Sequence, residues 1–242
     1  MTDPTQALSF GAVAAHYDRF RPRYPQEAVR WALAGLAPSA RVVDLGAGTG
    51  ILTRAVLALG HQVVPIEPDP GMRAQLDAAT PGIVALAGSA ESVPLPDGTA
   101  DAVVVGQAYH WFDRERAHAE IARVVRPGGV FAPIWNVRDE EVAWVAELSR
   151  IAHIGDSAGN VIEKYADFGP IELGRFAHTS TLTPGEVIEL LHTRSYWLTA
   201  PAKERGKIDR QLRDLFASHP DLAGRDTVEL PYQTLVFRSR RR

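Results

Sequence analysis

Val42-Val43-Asp44-Leu45-Gly46-Ala47-Gly48-Thr49-Gly50 carries an apolar strand into a glycine-rich bend, with a carboxylate two residues ahead of the first glycine. Glycines at alternate positions admit positive φ and let a ligand lie against bare backbone. The next segment, Ile51 to Leu59, reads as a helix with Gly60 at its C-terminal cap. Its first N–H groups then face whatever fills the bend. A nucleotide-like ligand over Gly46 to Gly50 is the expectation.

Spacing narrows the ligand. The dinucleotide fingerprint G-x-G-x-x-G requires a third glycine at position 51, where this chain has Ile51. A carboxylate at Asp44 would repel a pyrophosphate but suits a ligand bearing an ammonium or sulfonium charge. A second acid, Glu67, ends the next apolar run, His61 to Glu67. It lies close to the roughly 20-residue offset at which an acid meets a ribose diol in such folds.

These stretches resemble the class I S-adenosylmethionine (SAM) dependent methyltransferases, in the small-molecule group often called type 11. Ile66-Glu67-Pro68-Asp69-Pro70-Gly71-Met72 is similar to that family's second motif, and Gly88 to Leu95 to its adenine loop. Asp101 to Trp111 resembles its fourth strand and active-site edge, and Arg126-Pro127-Gly128-Gly129 the turn into its fifth strand. The likeness covers about residues 8 to 136. More loosely, Leu182 to Trp197 resembles a subgroup that includes the trans-aconitate and cantharidin methyltransferases.

The resemblance implies SAM as cofactor, a small-molecule methyl acceptor and an oxygen nucleophile, either hydroxyl or carboxylate. Asp44, Gly46, Ala47, Gly48 and Gly50 would hold the methionine part. Glu67 would accept the ribose hydroxyls, with Pro68 beside it, and Met72 would pack on adenine. Ser89 stands where the family commonly has an aspartate facing the adenine amino group, and Ala90 would add its backbone N–H. Gln107 would face the methionine end. Tyr17 and Arg21 would lie near the cofactor's carboxylate in an N-terminal lid. His110 is the candidate general base, since imidazole titrates near neutrality. Tyr24, Tyr109, Trp111, Trp135 and Asn136 would border the acceptor. Two other readings stand beside this one: a SAM-binding protein without turnover, and, with less support, an NAD-dependent oxidoreductase.

The order of elements predicts a Rossmann-like, doubly wound α/β fold. Strands are expected at Arg41–Leu45, Gln62–Glu67, Ile83–Ala87, Ala102–Gly106 and Gly129–Trp135, and helices at Ile51–Leu59, Pro70–Ala79 and Asp113–Val125. The later apolar spacing suggests a long helix around Val142 to Ile151 and another over Pro184–Thr193. Thr227 to Phe237 reads as an antiparallel edge strand. The whole is a mostly parallel seven-stranded sheet with a helical lid, forming one domain: lid 1–37, core 38–136, cap 137–242. Pro65 sits awkwardly inside the second strand, where a bulge is the expected remedy.

At 242 residues with 45% apolar and 23% charged side chains, the chain can bury a full core. Its net charge of −3 gives no field toward nucleic acid or an anionic membrane. The run Arg238 to Arg242 reads as a solvated tail. With no cysteine there are no disulfides, thiolate metal ligands or cysteine nucleophiles. The histidines lack metal-ligand spacing, so no metal is expected. Met1 to Gln6 carries no basic or long apolar leader, and a cytoplasmic monomer or homodimer is the expectation. Gly155-Asp156-Ser157-Ala158-Gly159 matches the hydrolase G-x-S-x-G, but a helical pattern precedes it instead of a strand.

Overall fold

Strand and helix alternate through the first half of the chain and build one six-stranded sheet in the order β2-β1-β3-β4-β6-β5. The computed structural model describes residues 14–153 and 166–242. The strands are β1 Arg41–Leu45, β2 Gln62–Ile66, β3 Ala100–Gly106, β4 Val125–Arg138, β5 Glu172–Leu182 and β6 Val228–Arg240. The helices are α1 Ala14–Phe20, α2 Gln26–Ala32, α3 Ile51–Leu57, α4 Pro70–Ala79, α5 Arg114–Val124, α6 Ala143–Ile151, α7 Pro184–His192, α8 Ser195–Thr199 and α9 Ala202–Ser218. The G-x-S-x-G match lies outside the described residues.

β1 to β4 run parallel, and β6 returns antiparallel between β4 and β5. Alternate residues of the parallel strands bury on opposite faces. Val43, Val103 and Phe131 pack toward α5, while Val42, Val104 and Ala132 meet α2 and α3. A further core joins α6, α7 and α9 through Leu148, Leu190 and Leu212 to Leu230 and Tyr232 of β6. Ile208, Leu212, Leu215 and Phe216 of α9 are buried at helical spacing, a signal passed over in the sequence.

The expected strand at Ile83–Ala87 is absent from the sheet. It shrinks to one parallel bridge, Ile66 with Leu86. Pro65 explains this. The Leu86 N–H donates to the Pro65 carbonyl at 2.9 Å, and the Glu67 N–H donates to the Leu86 carbonyl at 3.1 Å. The next rung would need a donor from Pro65, which has none, so the ladder stops. Pro65 thus points its missing donor to the outer side of β2, and its pairing with Asp44 keeps register without the expected bulge.

The last strand is also not an edge. β6 lies inside the sheet, and the edge is β5, whose exposed and half-buried positions alternate from Arg175 to Leu182 over mixed polar and apolar residues with no apolar run. Pro231 is tolerated in β6 because it falls just past the end of β4. Its carbonyl accepts from the Asp139 N–H at 3.1 Å. The C-terminal arginines are not a free tail either. Arg238 lies over the Trp31 ring at 4.2 Å, and Arg240 and Arg242 donate to the carbonyls of Ala34 and Ala166.

Asn136, at the carboxyl end of β4, pins the entry segment to the sheet. Its Nδ2 donates to the carbonyls of Pro22 and Arg23 at 3.4 and 3.2 Å, and its Oδ1 accepts from Thr234 Oγ1 at 2.6 Å. Asn136 and Thr234 are buried. Asn136→Ala leaves these groups unsatisfied, so a loss of about 2 kcal/mol is expected. Thermal unfolding should fall by about 4–8 °C, and an unchanged midpoint would show that the pin carries no stability.

Candidate functional site

The carboxyl ends of β1, β2 and β3 lie side by side, and the bend after β1 sits between them. The chain order reverses between β1 and β3, the position where open α/β sheets collect ligands. Gly46 has φ 70°, and a Cβ there would stand 2.8 Å from the Ala108 Cβ. Gly48 has φ 56° with open space where its Cβ would be. The first glycine is therefore required by packing, and the second leaves a bare stretch of backbone. Ala47 is buried with Leu76 and Ala85 behind the bend, and Gly50 is the N-cap of α3.

Two buried acids frame the bend. Glu67 accepts from the Gly48 N–H through Oε2 and from the Asp69 N–H through Oε1, both at 2.9 Å. Burial pushes its pKa up, and the two amides partly offset this. Asp44 is fully buried. Its Oδ2 accepts from Thr53 Oγ1 at 2.6 Å, whereas its Oδ1 has no partner. Burial raises its pKa to about 7, against the Thr53 hydrogen bond. A buried carboxylate oxygen without a donor, beside an uncovered glycine, fits a cationic ligand.

Around the acids, Asp69 caps α4 by accepting from the Gly71 and Met72 N–H groups. Met72 is buried in that first turn, and Pro68 is exposed with its carbonyl bonded to Arg73. Ser89 exchanges backbone hydrogen bonds with Ser92. Ala90 is buried in the core beneath them. Gln107 takes a left-handed φ of 57°, and its Nε2 donates to the Asn136 carbonyl at 2.9 Å.

α1 reaches the bend through a residue that sequence reasoning missed. Asp18 accepts from Thr49 Oγ1 at 2.9 Å and pairs closely with Arg54 of α3. Thr49 and Arg54 lie more than thirty positions from it, so no local spacing announces these two contacts. The Tyr24 hydroxyl lies tight against Gly106, and burial raises its pKa. Arg21 stacks on Tyr17 at 4.4 Å and donates Nε and Nη2 to Thr193, each at 2.9 Å. Its guanidinium therefore ties the lid to the end of α7.

His110 and Trp111 lie in a 3-10 turn after β3 (Tyr109–Trp111), with rings 4.8 Å apart. His110 Nδ1 is buried without a partner, and burial with Arg194 and Arg21 nearby lowers its pKa to about 4. The imidazole is neutral at pH 7. Three residues expected to border the acceptor face elsewhere. Tyr109 is fully buried, its hydroxyl 2.6 Å from His118 Nε2, and its ring packs on Trp135 and Phe131. Trp135 belongs to that core, and the Asn136 amide is spent on the lid. Side-chain alternation in β4 and the turn after β3 sends these rings inward. Among the described residues no group of three His, Asp or Glu side chains is placed to hold a metal.

The raised pKa of Asp44 makes ligand binding pH-dependent. A positive charge near its free oxygen lowers that pKa, so binding of SAM should expel a proton below about pH 7, and affinity should climb from about pH 6 to pH 8. Calorimetry in buffers of differing ionisation enthalpy measures the proton count. Proton uptake, or a pH dependence that survives in Asp44→Asn, would contradict this assignment.

Comparison with known proteins agrees with the geometry. Residues 43–132 match the family model described as a methyltransferase domain. An uncharacterised methyltransferase of Mycobacterium tuberculosis is 44% identical over 234 residues, 96% of each chain. A malonyl-[acyl-carrier protein] O-methyltransferase of Methylococcus capsulatus is 35% identical over 135 residues, 52% of this chain and 49% of that protein. The fold also matches the structure of a type II methyltransferase from Anaeromyxobacter dehalogenans, with TM-score 0.64 and 24% identity over 92% of this chain and 98% of the other. With near full-length kinship to one methyltransferase and a buried acid pair around a bare-backbone bend, the chain belongs to the class I SAM-dependent methyltransferases.

Proposed function

We propose that this enzyme methylates an oxygen atom of a small organic acceptor. The observation that carries the reading is the roof over the carboxyl edge. α1 and the segment after it are fastened at the bend by Asp18, at the sheet by Asn136 and at α7 by Arg21. A site covered in this way suits a small molecule, and the net charge of −3 gives nucleic acid no attraction. Oxygen is the expectation carried by the loose resemblance of Leu182 to Trp197 to the trans-aconitate and cantharidin enzymes. The malonyl O-methyltransferase among the relatives points the same way.

Bound SAM supplies an electrophilic methyl group, and transfer moves the carbon–sulfur bonding pair to sulfur as the oxygen–carbon bond forms. The protein's task is therefore alignment and exclusion of water. Asp44 Oδ1, which has no donor in the fold, would hold the cationic part, and Gly46, Ala47, Gly48 and Gly50 would give it a backbone bed. Each Glu67 oxygen, engaged by one amide, keeps a lone pair for a ribose hydroxyl. Pro68, Met72, Ser89 and Ala90 would hold the adenine side, and Gln107 and Tyr17 the methionine end. Tyr24, packed over Gly106, and Trp111 border the transfer position. His110 stays neutral and holds its free Nδ1 for the acceptor. A hydroxyl acceptor would pass its proton there; a carboxylate has none to pass.

Isotope-labelled SAM with a panel of organic acids and alcohols tests the reaction. Label should appear on oxygen, as an ester or ether. Binding without any transfer would support the non-catalytic alternative, and label on carbon or nitrogen would overturn the oxygen assignment. Glu67→Gln should weaken SAM binding about ten- to a hundredfold, or roughly 1.4–2.8 kcal/mol. An unchanged dissociation constant would remove Glu67 from the ribose site.

A further inference from the structure

Beyond the cofactor bend, positive charge gathers in the interior without negative charge to match it. Arg138 of β4, Tyr232 of β6 and His178 of β5 are register partners in one row across the sheet, so their side chains share a face. Arg138 is 9% exposed. Its Nε donates to Ser149 Oγ at 3.2 Å, but its Nη1 is buried with no acceptor. The Tyr232 hydroxyl is buried beside it without a partner, its ring stacked on His178 at 5.4 Å.

A second guanidinium arrives from the cap. Arg194 immediately precedes α8, and its Nε is also buried with no acceptor. Arg21 from the lid is held on Thr193, the residue before it. The three arginines lie within electrostatic reach of one another. Burial first, then Arg21 and Arg138, holds the pKa of Arg194 well below its ordinary value. Among the described residues none of the three forms an ion pair, and the acid within reach of Arg138 is the exposed Glu140. Burying guanidinium donors unpaired is costly, and folds retain them where a ligand completes the pairing. His110, in the turn after β3, faces Arg194 and Arg21.

We infer that Arg138 and Arg194, with Arg21 and the Tyr232 hydroxyl, form an oxyanion clamp for the methyl acceptor, which is a small organic acid gripped by its carboxylate. The inference rests on the small-molecule reading above and narrows it to one chemical class. The planar guanidinium fork matches a carboxylate, and the clamp reaches from the sheet to the His110 turn. Arg21 directly follows α1 and is held on Thr193, so one side chain joins the roof to the clamp.

The test uses the full chain saturated with the demethylated cofactor, S-adenosylhomocysteine, and reads binding directly. Malonate, succinate and citrate are titrated by calorimetry and thermal shift, with their methyl esters and inorganic phosphate as comparisons. At least one carboxylate should bind, its neutral ester at least tenfold more weakly. Arg138→Gln and Arg194→Gln should each lower that affinity tenfold or more while leaving homocysteine-cofactor affinity within about threefold. Arg194→Lys, which keeps charge without the fork, covers the case of a variant that fails to fold and should fall between the two. A purely structural role predicts instead that ligand-free Arg194→Gln melts well below wild type, whereas the clamp predicts an equal or higher midpoint. Phosphate binding in preference to every carboxylate, or variants that bind the acids like wild type, would overturn the inference. Labelled methyl transfer to a neutral acceptor alone would overturn it too, yet leave the oxygen methylation reading standing, while failure of SAM itself to bind would strike that reading instead.

Discussion

The Glu67 carboxylate on the Gly48 N–H is the contact on which the rest of the site depends. It links the end of β2 to the bend after β1, so the sheet holds the bend in addition to the turn's own Gly50–Ala47 hydrogen bond. The opposite oxygen holds the Asp69 N–H, and Asp69 in turn caps α4. One side chain thus holds both the bend and the start of the next helix. Charge-assisted bonds to backbone amides are short and strong in a buried setting, which suits a site that must be in place before its ligand arrives.

Asp44 is arranged differently, and the contrast is informative. Thr53 satisfies one oxygen while the other stays without a donor in the interior. The ligand-free fold therefore carries an electrostatic deficit that a positive ligand removes. The arginines under the lid form the opposite deficit, which an anion removes. The two lie at the ends of the same row of strand termini, with the His110 turn between them. The two deficits are of opposite sign, so the clamp proposed above would hold an acidic acceptor beside a cationic methyl donor.

The parts legible in the sequence are those built from neighbours in the chain. The strand–bend–helix unit, Glu67 at the end of β2, the Asp69-Pro70 helix start and the α5 stripe all follow from local spacing. Where pairing partners lie far apart, local spacing fails. The segment at Ile83–Ala87 has strand-like residues, but its ladder depends on the neighbour across from it, and Pro65 has no donor to offer. β5 has no apolar run because it is an edge, so its pattern resembles a polar loop. Tyr109, Trp135 and Asn136 follow strands pointing at the site, yet their side chains turn to the core or the lid.

The amino-acid order by itself determined the class of fold, the family and the acids flanking the glycine bend, because each rests on residues within about two turns or strands of one another. Tertiary structure alone decided which aromatic side chains are core, that Asp18 and Asn136 fasten the lid, and that Arg21, Arg138 and Arg194 converge. Those residues come from the lid, the sheet and the cap, and their meeting is set by strand register and helix packing, which no one-dimensional spacing encodes.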